Sequence, residues 1–222
     1  MEIPFLTVKA EVLLRFLGTG GARTRAWGAI AEAAGRLQER MAPALAVRAC
    51  LAVVPVQEAE NQGVKLAGFH LPCNARFFHG ADRAAVVVMT LGEKAEEEEG
   101  RLFQSGECLD ALVLNALALA GLERGLQAAR EEIRRRLQPE GVRLGYNLSP
   151  GCQKIPLETQ RLVLDLAGAE KIGVEINEYF VMRPAKSTSN IIPLGRDLKY
   201  RSKTGDACRI CARDSRCPYR HR

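Results

Sequence analysis

Cys208, Cys211 and Cys217 fall within the last fifteen residues as a C-x2-C-x5-C run, and that block limits what this end of the chain can become. It has no aliphatic periodicity and is too short to build a core, so something other than packing must order it. A C-x2-C pair can bend so that both sulfurs point at one centre, and a third thiolate nearby nearly completes a tetrahedral or cluster site. The plainer reading is three unrelated cysteines in a basic tail. Only seven cysteines occupy 222 residues, so this crowding favours a metal.

Charge follows the cysteines. The formal charge is +6, and from Arg196 onward nine Lys and Arg face three Asp, while the rest of the chain balances at 23 of each sign. Cations near gathered thiolates offset the cost of bringing those charges together. The rival reading is a phosphate-binding tail, for which only Tyr200 and Tyr219 offer rings to stack on. Apolar residues make up 47 % and charged residues 26 %, an ordinary globular balance. The start, Met1-Glu-Ile-Pro-Phe, lacks a basic leader region. The stretch Ala111–Leu122 contains Asn115 and is too short to span a bilayer. These features predict a cytoplasmic protein, where thiols stay reduced and clustered cysteines mean metal rather than disulfides.

Along the chain, Thr7 is expected to cap a helix running to Leu17 and ending at Gly18. The spacing of Ile30, Ala33, Ala34, Leu37 and Met41 predicts a helix over 26–41, stopped by Pro43. Residues 45–56 read as a strand and 72–79 as a short helix. The run Ala-Ala-Val-Val-Val-Met-Thr-Leu at 84–91 is short, β-branched and uninterrupted, the pattern of a buried strand. An acidic helix over 93–103 presents a solvated Glu face. The longest helix is expected at 108–137, apolar first and then charged through Arg130, Glu131, Glu132, Arg134, Arg135 and Arg136. Short strands at 142–148, a turn at 149–152, a helix at 157–166, a strand at 174–182 and another strand or loop at 187–194 complete the body. Cys50, Cys73 and Cys108 read as small core residues. His70 and His79 flank the short helix, which also carries Cys73, but Cys73 and His79 are poorly spaced to share one face around a metal.

Two segments carry a resemblance. Ser149-Pro-Gly-Cys-Gln-Lys-Ile-Pro-Leu-Glu-Thr-Gln is followed by Ile172-Gly-Val-Glu-Ile-Asn-Glu-Tyr-Phe-Val-Met-Arg-Pro-Ala-Lys-Ser-Thr-Ser-Asn-Ile-Ile. Their order resembles S-P-G-Y, P-L-x-x-Q, I-G-V-x-L-x-E and M-x-P-x-K-S-x-S of the activation domain of cobalamin-dependent methionine synthase, particularly its short stand-alone relatives. Weaker likeness runs upstream through Arg15-Phe-Leu-Gly and Met89-Thr-Leu-Gly. The resemblance implies an α+β fold, a twisted, largely antiparallel sheet flanked by helices. It implies binding of S-adenosylmethionine and its presentation to a corrinoid on a partner protein, so that one electron and the sulfonium methyl restore methylcobalamin. That chemistry needs positioning and a reductant more than acid–base help.

Carried over by position, Ser149, Pro150 and Gly151 would approach the ligand with their backbone, glycine permitting close contact. Glu178, Lys186, Ser187, Thr188 and Ser189 would line the same cleft. The family's arginine four residues before the turn glycine is Asn147 here, with Arg143 four residues further back, and its tyrosine after that glycine is Cys152. Cys152 adds a fourth thiolate to Cys208, Cys211 and Cys217, a set suited to a [4Fe–4S] cluster that delivers the electron, with zinc as the rival. The expectation is a body of residues 1–195 with a small cysteine-rich metal-binding appendage at 196–222. Its partners would be a corrinoid-binding methyltransferase or corrinoid protein and an electron donor such as a ferredoxin or a flavodoxin. The alternative is a non-catalytic protein- or nucleic-acid-binding module with a structural zinc site.

Overall fold

The run at 84–91 has no polar face, so a strand built from it needs cover on both sides, and the fold supplies it. In the computed structural model, residues 2–5, 7–18, 25–60, 63–152 and 154–203 are described. Elements follow in chain order as β1 (Glu2–Ile3), α1 (Ala10–Phe16), α2 (Trp27–Met41), β2 (Val47–Glu60), β3 (Gly63–Leu66), β4 (Phe69–Pro72), β5 (Arg83–Thr90), α3 (Lys94–Gln104) and α4 (Cys108–Leu137). Then come β6 (Arg143–Leu144), α5 (Gln160–Ala167), β7 (Glu175–Ile176), β8 (Met182–Arg183) and β9 (Ser187–Gly195). Among the described residues one antiparallel sheet runs β4-β3-β2-β5-β9-β6, with β1 on β2, and β7 pairs β8 apart from it. The fold is α+β, an antiparallel sheet flanked by helices.

Alternation along β5 sorts the core. Ala85, Val87 and Met89 join α2 and α4 in one cluster, whereas Ala84, Val86 and Val88 join α5 and the short 3-10 turn Ala75–Phe78 in the other. All six are fully buried. Helix α4 forms over the expected span because its first half is Ala/Leu-rich and its buried positions repeat at helical spacing, Val113, Leu114, Leu117 and Ala120 among them.

Several expectations are corrected. Thr7 does not cap α1, whose N-cap is Lys9 without a side-chain bond. The helix expected at 72–79 is a four-residue 3-10 turn preceded by β4, and the β3–β4 hairpin was not anticipated. The strand expected at 174–182 is two short strands around a turn, because the Asn177 side chain accepts from the amides of Tyr179 and Val181, both at 3.0 Å, and bends the chain. Cys108 is exposed rather than core, whereas Cys73 is buried.

Residues 196–203 lie along the body. Lys199 N donates to His79 O at 3.0 Å and Ser202 N to Leu144 O at 3.1 Å, and the Tyr200 ring meets Phe77 edge-on at 5.7 Å. Gly80 has φ +80°, and a Cβ there would come within 2.3 Å of Asp197 O, so glycine is what lets this segment close on the sheet end. Residues 204–222, with Cys208, Cys211 and Cys217, lie outside the described residues.

The two faces of α4 predict different costs. Leu117 is fully buried and Leu112 is 48 % exposed, so Leu117→Ala should cost about 2–5 kcal/mol and Leu112→Ala within about 0.5 kcal/mol. Chemical denaturation monitored by circular dichroism separates them.

Candidate functional site

Pairing between β5 and β9 fixes which way each β9 side chain faces, because directly opposed residues share a face. Ser189 lies opposite Val88 and Ser187 opposite Thr90, while Thr188 lies opposite Met89 and Asn190 opposite Val87. Ser187 and Ser189 therefore face the α5 layer, and Thr188 and Asn190 face the α4 layer. The hydrogen bonds agree: Ser189 Oγ donates to Gln160 Oε1 at 3.0 Å, and Ser187 Oγ contacts Thr90 Oγ1 at 2.9 Å.

The Ser149–Cys152 turn sits beyond this edge of the sheet. Leu148 bridges Ile191, Cys152 N donates to Ser149 O at 3.0 Å, and Gly151 N donates to Ile155 O at 2.9 Å. Gly151 takes φ +80°, and a Cβ there would meet nothing nearer than Leu157 Cδ1 at 3.6 Å; its backbone is open for close approach. Pro150 is buried and Cys152 exposed. Ser149 Oγ reaches Asn190 Oδ1 at 3.4 Å, and Asn190 Nδ2 donates to Thr188 Oγ1 at 3.2 Å. The turn is thus tied to the α4-facing side of β9.

Lys186 lies on that same side. Its Nζ donates to Asn115 Oδ1 of α4 at 2.6 Å and pairs with Glu99 of α3 at 2.8 Å, with side chains only 15 % and 19 % exposed. The structure therefore divides the expected site residues. Ser149, Thr188 and Lys186 gather on the α4 side, Ser187 and Ser189 point through the sheet to the other layer, and Glu178 stands exposed on the β7–β8 turn. Sequence reasoning missed Asn190, Asn115 and Glu99; Asn115 was visible as the one polar residue in an apolar helical stretch.

A cleft of about 810 Å³ opens beside these residues between α3 and the β7–β8 turn, lined by Glu93, Glu96, Glu97, Arg101, Asn177 and Met182 among others. Ala185 N donates to Glu96 Oε2 at 3.0 Å across its floor. At the turn's other end, Arg130 of α4 donates from Nη1 to Asn147 Oδ1 at 2.8 Å and from Nη2 to Gly145 O at 3.0 Å. Asn147, where the resembled family carries an arginine, is therefore an acceptor for a different arginine. Arg143 is exposed on β6.

Burial pushes the Cys73 thiol up to about 11 and raises that of Cys50, which disfavours the thiolate a metal needs. Among the described residues no group of three or more His, Cys, Asp or Glu side chains could hold a metal ion. Cys152, on an exposed turn, is the member of the expected four-cysteine set that is described. Among the described residues no helix is long and apolar enough to cross a membrane.

The fold and this edge define an α+β domain whose polar side chains and an open backbone turn meet beside a two-faced sheet. No protein-family model matches the chain, and no curated protein sequence does. Among solved structures, the chain is similar to the crystal structure of the MetH reactivation domain bound to AdoHcy, with a TM-score of 0.63 and 15 % identity over 91 % of this chain and 80 % of that one. That likeness establishes the fold.

The Lys186–Glu99 pair is half-buried, and Asn115 completes it. A double-mutant cycle with Lys186→Met and Glu99→Gln should return a coupling of about 1 kcal/mol in unfolding free energy; additivity of the two changes would contradict the pairing.

Proposed function

We propose that this chain binds an S-adenosyl ligand at the edge of β9 and serves in the reductive remethylation of a corrinoid carried by a separate protein. The observation that carries the reading is the likeness of its fold, over 91 % of the chain, to a reactivation domain whose structure holds AdoHcy. The local geometry supports it. Gly151 offers an open backbone beside a buried proline, and Ser149 is tied to β9 through Asn190. Lys186 is held by Asn115 and Glu99, so these groups are oriented before a ligand arrives, which lowers the cost of ordering it. The sheet divides the expected residues, so Ser187 and Ser189 act from behind, supporting β9 through Thr90 and Gln160.

The chemistry itself belongs to the bound groups: one-electron reduction of the corrinoid, then transfer of the sulfonium methyl to cobalt with release of S-adenosylhomocysteine. Cys152, Cys208, Cys211 and Cys217 would hold a metal centre, with a [4Fe–4S] cluster as the electron carrier and zinc as the rival. Cys152 suits that role because it is exposed on the turn, whereas burial holds the Cys73 thiol protonated. A ferredoxin or a flavodoxin would supply the electron, and the setting would be the cytoplasm. A docking module with structural zinc is favoured by one observation only, the basic end of the chain. Binding through its phosphate contacts would fall steeply with salt.

Two measurements check this reading. Calorimetry with S-adenosylhomocysteine should give saturable binding that Gly151→Val weakens at least about tenfold, since a side chain at φ +80° strains the turn and fills the approach. Anaerobically purified protein should hold about four iron and four sulfide per chain, or about one zinc if the rival centre is present. Cys152→Ser should lose the metal while Cys50→Ser keeps it; metal retention by Cys152→Ser would contradict the four-ligand set.

A further inference from the structure

Another cavity, of about 510 Å³, opens where the exit segment crosses the end of the sheet, a size within the roughly 300–1,000 Å³ that small ligands occupy. Three stretches of chain wall it: Arg134 of α4, Val142, Arg143 and Leu144 at β6, and Arg201 to Lys203 of the exit segment. Among the described residues that lining holds four cations and no carboxylate. Val142 and Leu144 are buried, whereas Arg143, Arg201 and Lys203 are exposed. The last three form no ion pair among the described residues. Arg134 pairs with Glu131, whose side chain is 70 % exposed, so water screens that partner.

The backbone that carries these cations is fixed. Arg143 lies opposite Gly195 in the β6–β9 pairing, Ser202 N donates to Leu144 O at 3.1 Å, and Arg134 Nη2 donates to Lys203 O at 3.0 Å. Behind this wall lies a fifth cation. Arg130 is 1 % exposed, and its acceptors Asn147 Oδ1, Gly145 O and Ser202 O, the last at 2.6 Å, are all neutral. Its buried Nε has no partner among the described residues. Burial, and then the charge of Arg134, bring its pKa down to about 10, so it remains a cation at neutral pH. A buried charge without a counter-charge is costly. Because Ser202 both accepts from Arg130 and lines the cavity, an anion bound there would face that charge across one residue.

Cations of one sign set in a cleft with apolar walls focus a field that draws anions. Three of the four lining cations are arginines, whose planar forks match phosphate oxygens two at a time. A single phosphate would meet only part of a lining spread over three chain segments. Among the described residues no aromatic side chain lines the cavity, so nothing there stacks a base, and the concave shape suits a small anion better than the face of a macromolecule. We propose that this cavity binds a linked-phosphate anion, two or three phosphates long, either free or as the tail of a nucleotide. Its lining shares no residue with the Ser149–Cys152 turn, the Lys186 group or the four-cysteine set, so the site is separate from those.

Calorimetry on the full chain at fixed ionic strength compares inorganic triphosphate, orthophosphate, ATP and a short single-stranded oligonucleotide. Triphosphate should bind saturably, about one per chain, and at least about tenfold more tightly than orthophosphate. Equal affinities for triphosphate and ATP would support a site for the phosphates alone, and ATP tighter by about tenfold would support a nucleotide. Arg143→Gln combined with Arg201→Gln should weaken triphosphate at least about tenfold. Arg135→Gln, which removes a cation of the same helix outside the cavity, should change it less than about twofold. Both altered arginines are exposed, so the fold should survive, and circular dichroism checks it. Wild-type affinity in the double variant would overturn the proposal, because the cations beyond residue 203 would then carry the binding. An equal loss in Arg135→Gln, tighter binding of the oligonucleotide than of triphosphate, or no saturable binding would overturn it as well. S-adenosylhomocysteine should not displace triphosphate; displacement would contradict a separate site.

Discussion

Strand β5 is paired along both edges and covered on both faces, and the placement of every other element answers to it. Its partners β2 and β9 inherit its register, and its alternating side chains define two separate cores. Seven of its eight residues are buried, so a one-residue slip would exchange the two cores and strand the polar residues of β9 against the wrong layer. Parity assigns Thr188 and Asn190 to the helix α4 side and Ser187 and Ser189 to the other, so a row of neighbours in sequence becomes two groups that face different layers.

The candidate site lies where that regular order ends. Beyond β9 the sheet frays into two-residue β6, a single bridge at Leu148, and the Ser149–Cys152 turn. Side chains add to the backbone pairing there: Ser149 Oγ reaches Asn190 Oδ1, and Arg130 donates to Gly145 O and Asn147 Oδ1. A strained or open turn needs a rigid support, and α4 with β9 provides one. The exit segment 196–203 is fastened to the same support, which makes it a neighbour of the turn's entry in structure although about fifty residues separate the two in sequence.

Long, strongly patterned elements were legible in the sequence. The span of α4 was readable end to end because its Ala/Leu run has no interior proline and Pro139 follows it. β5 was readable because nothing polar interrupts it. Short elements were not: β3 and β4 have four residues each, too few for periodicity to declare itself. The stretch 174–182 reads as a strand by its Val, Ile and Phe content, and the Asn177 side chain, competing for two backbone amides, helps turn it together with the backbone bonds between Asn177 and Phe180 and Val181. At the candidate site, the turn and Lys186 were singled out by resemblance. Their partners Asn190, Asn115 and Glu99 were not, since pairing across the sheet decides them. Arg130 was hidden for another reason. It sits among Glu131, Glu132, Arg134, Arg135 and Arg136, and a buried cation inside a solvated run has no signature in sequence.

The central claim is methyl transfer from an S-adenosyl donor to a partner's corrinoid. Its most direct test mixes the anaerobic full-length protein and a reductant with a corrinoid protein in the Co(II) state and methyl-labelled S-adenosylmethionine. The account predicts stoichiometric label on cobalt, appearance of the methylcorrinoid spectrum and one S-adenosylhomocysteine released per methyl, all dependent on this chain. No label transfer from a chain that binds the ligand and holds its metal would contradict it.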